Sequence, residues 1–149
     1  MASTTFSGPV TSTNGFIGAL TGNVAGTGKI THATTAAINA TATATAAQVA
    51  TGYITSTSAA ATAITLPTGT LLGAALGAVR GTVFDLYVDN TAGASTVTMV
   101  VAVNGILSSG AVDTPGSFGD LTIAAGATGI ARFTLMFASA TAYTFSRTA

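Results

Sequence analysis

The chain has 149 residues, a length typical of one domain, and enough large apolar residues for a hydrophobic core. Charged residues make up only 5% of it, four basic against four acidic, so no net charge attracts nucleic acid or an anionic membrane. The absence of cysteine excludes disulfides and thiolate metal sites. A surface so poor in charge is expected to be covered in part by copies of the chain or by a larger assembly.

Residues 1–35 are predicted to form an extended arm, because glycines interrupt any regular period while large apolar residues recur along the segment. Such a segment cannot build its own core, so we expect it to lie on a neighbouring surface. Its opening, MASTTFSGPV, has neither a basic region nor an apolar run, and no signal peptide is predicted. The candidate contact residues of the arm are Phe6, Pro9, Val10, Phe16, Ile17, Leu20, Val24, Lys29 and Ile30.

Short strands and one short helix are predicted over residues 36–77. Alternating Ala and Thr favour a strand at residues 38–44, with a helical turn at residues 45–49. Strands are also predicted at residues 53–57 and 61–66.

The short helix is predicted at residues 69–76. Thr68 can cap its start and Gly77 can end it. Its core-facing residues would be Leu71, Leu72 and Leu76.

The clearest strands of the sequence are predicted at residues 82–89 and 96–103, where apolar and polar side chains alternate. Residues 90–95 are small and turn-forming, so the two strands are predicted to make an antiparallel hairpin. The apolar positions on the buried face are Phe84, Leu86, Val88, Val97, Met99, Val101 and Val103.

Three further strands are predicted at residues 120–124, 130–138 and 142–147, after a loop at residues 108–119. Seven or eight short strands at close spacing indicate an all-β fold, an antiparallel β-sandwich of jelly-roll or Greek-key type. The predicted organisation is therefore an extended N-terminal arm (1–35) followed by a β-sandwich domain with one short helix (36–149).

A membrane-spanning helix is not predicted, although no fixed charge lies between Lys29 and Arg80. Pro67 and several glycines interrupt that segment, and its most apolar part, residues 71–79, is about half the length that a spanning helix needs.

No catalytic motif is found. Residues near Lys29 superficially fit a phosphate-binding loop, but Asn23 stands where the pattern needs glycine and Ile30 where it needs a hydroxyl. His32 is the only histidine, so a metal site would need several copies meeting at a symmetry axis, and a polar role on the arm is favoured. We predict no enzyme activity, cofactor or small-molecule substrate.

Asp85 and Asp89 lie on the same predicted strand face and could in principle act as acid and base or bind calcium. Four residues along a strand separate them by about 13 Å, which is too far to share one ion or water. We expect Asp89 to serve the turn and Asp85 to pair with an arginine such as Arg132.

Several segments of the chain carry a resemblance to known proteins. TTFSGPV at residues 4–10 resembles the starts of small head-associated proteins of tailed bacteriophages. LPTGTLLGAA at residues 66–75, with residues 84–90, AGAS at 92–95 and AGATG at 125–129, is similar to the capsid decoration, cement or head-fibre proteins of those viruses. ALTGNV at residues 19–24 also resembles a unit of phage tail-fibre shafts, but it occurs once, without the tandem copies of a shaft.

The resemblance implies a protein on the outer surface of the virion, where homotrimers bind the major capsid protein and clamp its subunits together, with the arm as the capsid contact. The alternative is an adhesion module of a head or tail fibre, in which outward loops such as residues 108–119 bind a glycan or another receptor on the host surface. A glycan-processing enzyme would need a pocket with paired carboxylates, which this sequence cannot easily build.

Overall fold

The computed structural model describes residue 32 and residues 34–107 and 121–149. The chain divides into two compact units, Met1–Ile30 and Thr31–Ala149. The candidate contact residues of the arm and the loop at 108–119 lie outside the described residues. The described part of the second unit contains β1 (Ala36–Ala37), β2 (Ala42–Thr43), α1 (Ala46–Ala50), β3 (Tyr53–Thr55), β4 (Thr62–Thr65), α2 (Gly69–Leu76), β5 (Val83–Asp89), β6 (Val97–Val100), β7 (Gly105–Leu107), β8 (Thr122–Ile123), β9 (Ile130–Ser139) and β10 (Ala142–Arg147).

The strands form two mixed sheets. One has six strands in the order β1-β3-β5-β9-β10-β7, and the other has four in the order β2-β4-β6-β8. Parallel pairing joins β1 to β3, β3 to β5, β10 to β7, β2 to β4 and β4 to β6. Only β9 with β10, β5 with β9 and β6 with β8 pair antiparallel within the described chain. The prediction of an antiparallel jelly-roll or Greek-key sandwich is therefore wrong.

The parallel pairs follow from the path of the chain. From β1 to β9 each successive strand lies in the other sheet, so each sheet receives every second strand. Sequence neighbours therefore seldom pair with each other; the β9–β10 hairpin is the exception among the described strands. A period of two shows that a segment is a half-buried strand, but it does not say which strand lies beside it.

The predicted hairpin of residues 82–103 shows this limit. Its two strands exist as β5 and β6, and Leu86 and Val97 are fully buried as expected. However, β6 ends at Val100, and Val103, predicted on the buried face, is 71% exposed. The two strands also lie in different sheets. Asn90 begins the crossing between them. Its side chain is fully buried, and Nδ2 donates to the carbonyl oxygens of Ser95 and Ala124, both at 2.9 Å. These bonds fix a crossing between sheets where a tight hairpin turn was predicted.

Local signals located the helices well. Thr45 and Gln48 form a capping box at the start of α1, so the predicted helical turn is a five-residue helix. Thr68 caps α2, which has the predicted bounds and ends at Gly77 in the left-handed region, at φ 58°. Two helices are thus present in the described chain where one helix and a single turn were predicted.

Two details of this region differ from expectation. Of the strand predicted at residues 38–44 only β2 forms, while β1 lies just before it and in the other sheet. Leu72 is fully buried, but Leu71, also expected in the core, is 60% exposed. A helix of eight residues buries only a narrow stripe of its surface, and Leu71 lies outside that stripe.

Buried side chains of both sheets form one hydrophobic cluster. Phe133 of β9 and Phe145 of β10 stack at its centre, with ring centroids 4.8 Å apart. The predicted alternation of β9 is confirmed, since Phe133 and Leu135 are buried while Thr134 and Met136 face outward. The outward face of the six-stranded sheet therefore has its own set of side chains.

The buried side chain of Tyr143 predicts that the protein loses folding stability at alkaline pH. Its buried hydroxyl donates to the carbonyl oxygen of Pro67 at 3.1 Å, and burial raises the pKa of Tyr143 from 10.0 to about 12. The unfolded chain loses this proton near pH 10 while the folded chain keeps it, so folding stability should fall as the pH rises from about 10 to about 12. Thermal unfolding between pH 8 and 12 measures the loss.

The variant Tyr143→Phe tests the cause. It leaves the Pro67 carbonyl without this bond, so its unfolding free energy at pH 7 should be lower by about 1–2 kcal/mol. Its stability should also fall less between pH 10 and 12 than that of the parent chain. An identical fall in both proteins would show that Tyr143 is not the responsible group.

Candidate functional site

The outer face of the six-stranded sheet carries a row of polar and aromatic side chains. Tyr53 on β3 lies opposite Tyr87 on β5, which in turn lies opposite Arg132 on β9. Asp85 and Asp89 flank Tyr87 on the same face of β5, because Leu86 and Val88 between them point into the core. All five side chains are partly exposed, so this face is accessible to solvent.

An aromatic cluster, defined as His32, Tyr53 and Tyr87, occupies one side of this face. The ring of His32 lies 5.8 Å from that of Tyr53 and 5.7 Å from that of Tyr87, centroid to centroid. The two tyrosine rings are 6.3 Å apart and nearly parallel, with an interplanar angle of 20°. These separations are those of contacting aromatic side chains.

His32 is fixed in this cluster by its backbone neighbours. Nδ1 lies 2.9 Å from the carbonyl oxygen of Thr51, which can only accept, so Nδ1 carries a proton. Gly52 has φ +73°, and a Cβ at this position would come within 2.5 Å of His32 Cε1. A glycine is therefore needed here both for its conformation and for the approach of the imidazole ring.

Asp89 accepts hydrogen bonds on both oxygens. Thr91 donates to Oδ1 through its hydroxyl at 2.6 Å and its backbone N–H at 2.9 Å, which confirms that Asp89 serves the turn. Tyr53 donates its hydroxyl to Oδ2 at 3.0 Å. The Thr91 hydroxyl is the main cause that lowers the pKa of Asp89, whereas burial is the main cause that raises the pKa of Tyr53.

Removing the Thr91 hydroxyl should raise the pKa of Asp89 toward its usual value. Because the folded pKa is lowered, the carboxylate stabilises the fold above the unfolded pKa, and this stabilisation is lost as the pH falls through the folded pKa. In Thr91→Val this acid-sensitive contribution should shrink. A carboxyl-carbon NMR titration of Asp89 measures the shift. Tyr53→Phe removes a smaller cause, so a larger shift in that variant than in Thr91→Val would contradict this account.

The predicted pairing of Asp85 with Arg132 is wrong. Asp85 Oδ1 accepts from the Thr134 hydroxyl at 2.7 Å, and Arg132 Nε donates to the Thr148 hydroxyl at 3.1 Å. The register explains the difference, since Asp85 lies opposite Thr134 while Arg132 lies opposite Tyr87. Asp85 and Arg132 therefore belong to different cross-strand pairs, and each side chain is bonded to the hydroxyl of a threonine.

Several polar atoms around Tyr87 remain without a partner within the described residues. They are the Tyr87 hydroxyl, Asp85 Oδ2, the two Nη atoms of Arg132 and Nε2 of His32. Partly exposed groups of this kind bond to water or to a ligand. The face therefore offers hydrogen-bond donors and acceptors together, around an aromatic ring.

A second surface, the apolar end, lies where α2 meets the β9–β10 turn. Gly69 N–H bonds to the Val103 carbonyl at 3.0 Å. A register row runs across the six-stranded sheet from Val83 on β5 through Met136 and Thr144 to Ile106 on the edge strand β7. Eight large apolar side chains of the described chain are exposed, and six belong to this end. They are Leu71, Val79, Val83, Val103, Ile106 and Met136.

The described residues offer neither a clustered metal site nor a membrane-spanning helix. They hold no group of three His, Asp or Glu side chains that could coordinate a metal ion. None of their helices has the length and apolar character needed to cross a bilayer. His32, considered above as a ligand at a symmetry axis, makes its contacts with Thr51 and the two tyrosines.

Sequence reasoning missed the aromatic cluster. Tyr87 was correctly placed on the polar face of its strand, but His32 was assigned to the arm and Tyr53 to a strand of unknown position. The cluster depends on the parallel pairing of β3 with β5, which strand periodicity does not reveal. Gly52, directly before Tyr53, was the one local signal of a close approach.

Comparison of the chain with protein-family models, with curated proteins and with solved structures finds no match. Its function is therefore inferred from its own surfaces and from the resemblance of its segments.

Proposed function

We propose that the chain is a structural virion protein that binds the outside of a phage capsid and stabilises contacts between major capsid subunits. The resemblance of residues 4–10, 66–75, 84–90, 92–95 and 125–129 to head-associated phage proteins supports this proposal, as does a charged fraction of only 5%. The observation that carries it is the apolar end, because exposed apolar side chains gathered in one region mark a protein interaction surface.

The composition of the apolar end suits an interface. Arg80 is the one formally charged residue of the segment from Val79 to Val83, and Met136 supplies the flexible apolar side chain that interface cores favour. Burial of such side chains contributes about 25 cal/mol per Å² of apolar surface. A homotrimer that uses this surface would repeat each contact three times and so gain avidity on a symmetric shell.

The test is the copy number of the chain in purified virions, measured by quantitative mass spectrometry against the major capsid protein. A ratio near one, or a simple fraction repeated over the shell, is expected. A few copies per particle would favour the fibre adhesion module, and absence from particles would overturn the proposal.

Met136→Asp should weaken assembly through the apolar end. A carboxylate at this exposed position would have to lose its hydration in any interface, so self-association or capsid binding should fall by at least tenfold. Sedimentation equilibrium and co-sedimentation with heads that lack the protein measure the two affinities.

The matched control is Val100→Asp, which puts the same charge on an exposed strand residue of the four-stranded sheet. Assembly should be retained in this variant. If Met136→Asp binds heads and associates as the parent chain does, the apolar end is not the interface.

A further inference from the structure

We propose that the outer face around Tyr87 binds a neutral saccharide, with Asp85 and Arg132 bonding to its hydroxyls beside the tyrosine ring. This site lies on the sheet and not in the loop at residues 108–119, and it does not depend on the proposed role in the capsid.

Tyr87 lies at the centre of the site. Arg132 faces it directly across the β5–β9 pair, and the ring of His32 is 5.7 Å away on the other side. Asp85 follows on the same face of β5, two residues along, about 7 Å distant. A ligand that contacts the Tyr87 hydroxyl is therefore within reach of a carboxylate, a guanidinium and an imidazole.

The unused atoms match the chemistry of a sugar. Asp85 Oδ2 can accept from one hydroxyl, and the Nη atoms of Arg132 can donate to others. Because Nδ1 of His32 donates to the Thr51 carbonyl, Nε2 is the ring nitrogen that can accept from a ligand when the imidazole is neutral. Vicinal hydroxyls of a pyranose both donate and accept, and they need such a mixed set of partners close together.

Charge and geometry disfavour other ligand classes. Asp85 and Asp89 oppose an anionic ligand, while Arg132 opposes a cationic one. An aromatic cage for a quaternary ammonium group is closed, because the three rings are 5.7–6.3 Å apart and already in contact. An uncharged, hydroxyl-rich ligand remains.

The site is held in place before any ligand binds. Tyr53 is fixed by its bond to Asp89 at 3.0 Å, and His32 by its bond to Thr51 at 2.9 Å. Thr134 holds Asp85 through Oδ1 and leaves Oδ2 for a ligand. Side chains that are already ordered lose little conformational entropy on binding, which favours affinity for a small ligand.

The experiment uses the full chain on an array of defined oligosaccharides. Neutral oligomers of glucose, galactose, mannose and N-acetylglucosamine are printed beside sialylated and amino-sugar oligomers. Binding is expected among the neutral oligomers, and the best binder is then titrated by ¹H–¹⁵N NMR up to about 10 mM, a range suited to weak sites. Shifts are expected at Tyr87, Asp85 and Arg132.

Two tyrosine variants distinguish a hydroxyl that contacts the ligand from one that only supports the site. Tyr87→Phe removes an unused hydroxyl and should weaken binding by about tenfold, as should Asp85→Asn. Tyr53→Phe removes a hydroxyl that bonds to Asp89 and not to the ligand, so it should weaken binding less than Tyr87→Phe does. Thermal unfolding of each variant shows whether the domain is intact.

Three results with the parent chain would overturn the proposal. They are no binding of a neutral oligosaccharide at about 10 mM, binding restricted to charged sugars, and NMR shifts centred on residues away from Tyr87. Equal affinity of Tyr87→Phe and the parent chain would do the same. A negative result on the array leaves the copy-number test of the capsid role unaffected, so the two proposals fail independently.

Discussion

Asn90→Asp is expected to destabilise the protein by about 3 kcal/mol, more than a typical point substitution. In the parent chain Nδ2 donates to the carbonyl oxygens of Ser95, Ile123 and Ala124, and the side chain is fully buried. A carboxylate at this site has no proton to donate and would face three carbonyl oxygens. Its charge would also be buried without a partner.

The sign of the pH dependence identifies the cause. Burial beside three acceptors should raise the pKa of the new carboxyl, and its protonated form can donate one hydrogen bond. The deficit relative to the parent chain should therefore shrink as the pH falls from 7 to 5. Urea unfolding at both pH values measures it.

Asn39→Asp is the matched control. Asn39 uses its oxygen, which accepts from the Thr57 backbone N–H at 2.9 Å, and the side chain is exposed. Aspartate keeps that oxygen, so this variant should remain within about 0.5 kcal/mol of the parent chain. Similar losses in both variants would show that the buried amide donor at Asn90 has no special role.

Gly73→Ala should destabilise the fold by about 2 kcal/mol, although the same change in an exposed helix interior stabilises by about 1 kcal/mol. A methyl group at Gly73 would overlap the carbonyl oxygen of Ala140 and lie 3.4 Å from Phe137 Cε1. The Ala140 carbonyl belongs to the β9–β10 turn and cannot rotate away as a side chain would. The helix would have to move off the turn.

Two controls separate this overlap from backbone effects. Ala74→Gly, at an exposed position of α2, should cost about 1 kcal/mol and reports helix propensity alone. Gly77→Ala should cost about 1–2 kcal/mol, because φ is 58° there while a Cβ meets nothing within 4 Å. Calorimetric unfolding measures the loss of stability in each of the three variants. A stabilised Gly73→Ala would show that α2 and the turn can separate at little cost.

Signals carried by a few neighbouring residues were predictable from the sequence. Thr68 and Gly77 marked the ends of α2, and the alternation of Leu86 with Tyr87 gave the faces of β5. These predictions depend on hydrogen bonds and sterics within one turn or one strand, where the interacting residues are close together in the sequence.

Pairing between distant segments was not predictable. Residues 90–95 have the composition of a hairpin turn, yet they cross between sheets because Asn90 bonds to carbonyls of residues 123 and 124. The prediction of an Asp85–Arg132 pair was wrong for the same reason, since the register places Thr134 opposite Asp85. The aromatic cluster likewise needs β3 beside β5, a contact that no local pattern encodes.

The strand order has a consequence for how the chain folds as it is synthesised. β9 and β10 follow the other described strands in the chain, yet they lie inside the six-stranded sheet, between β5 and β7. Until they emerge from the ribosome, β5 has an open edge and β7 has no neighbour in the sheet. Loop closures this long slow folding, so the nascent chain stays exposed to misassociation until β9 and β10 have been made. Loss of residues 130–149 would therefore remove two interior strands of the six-stranded sheet.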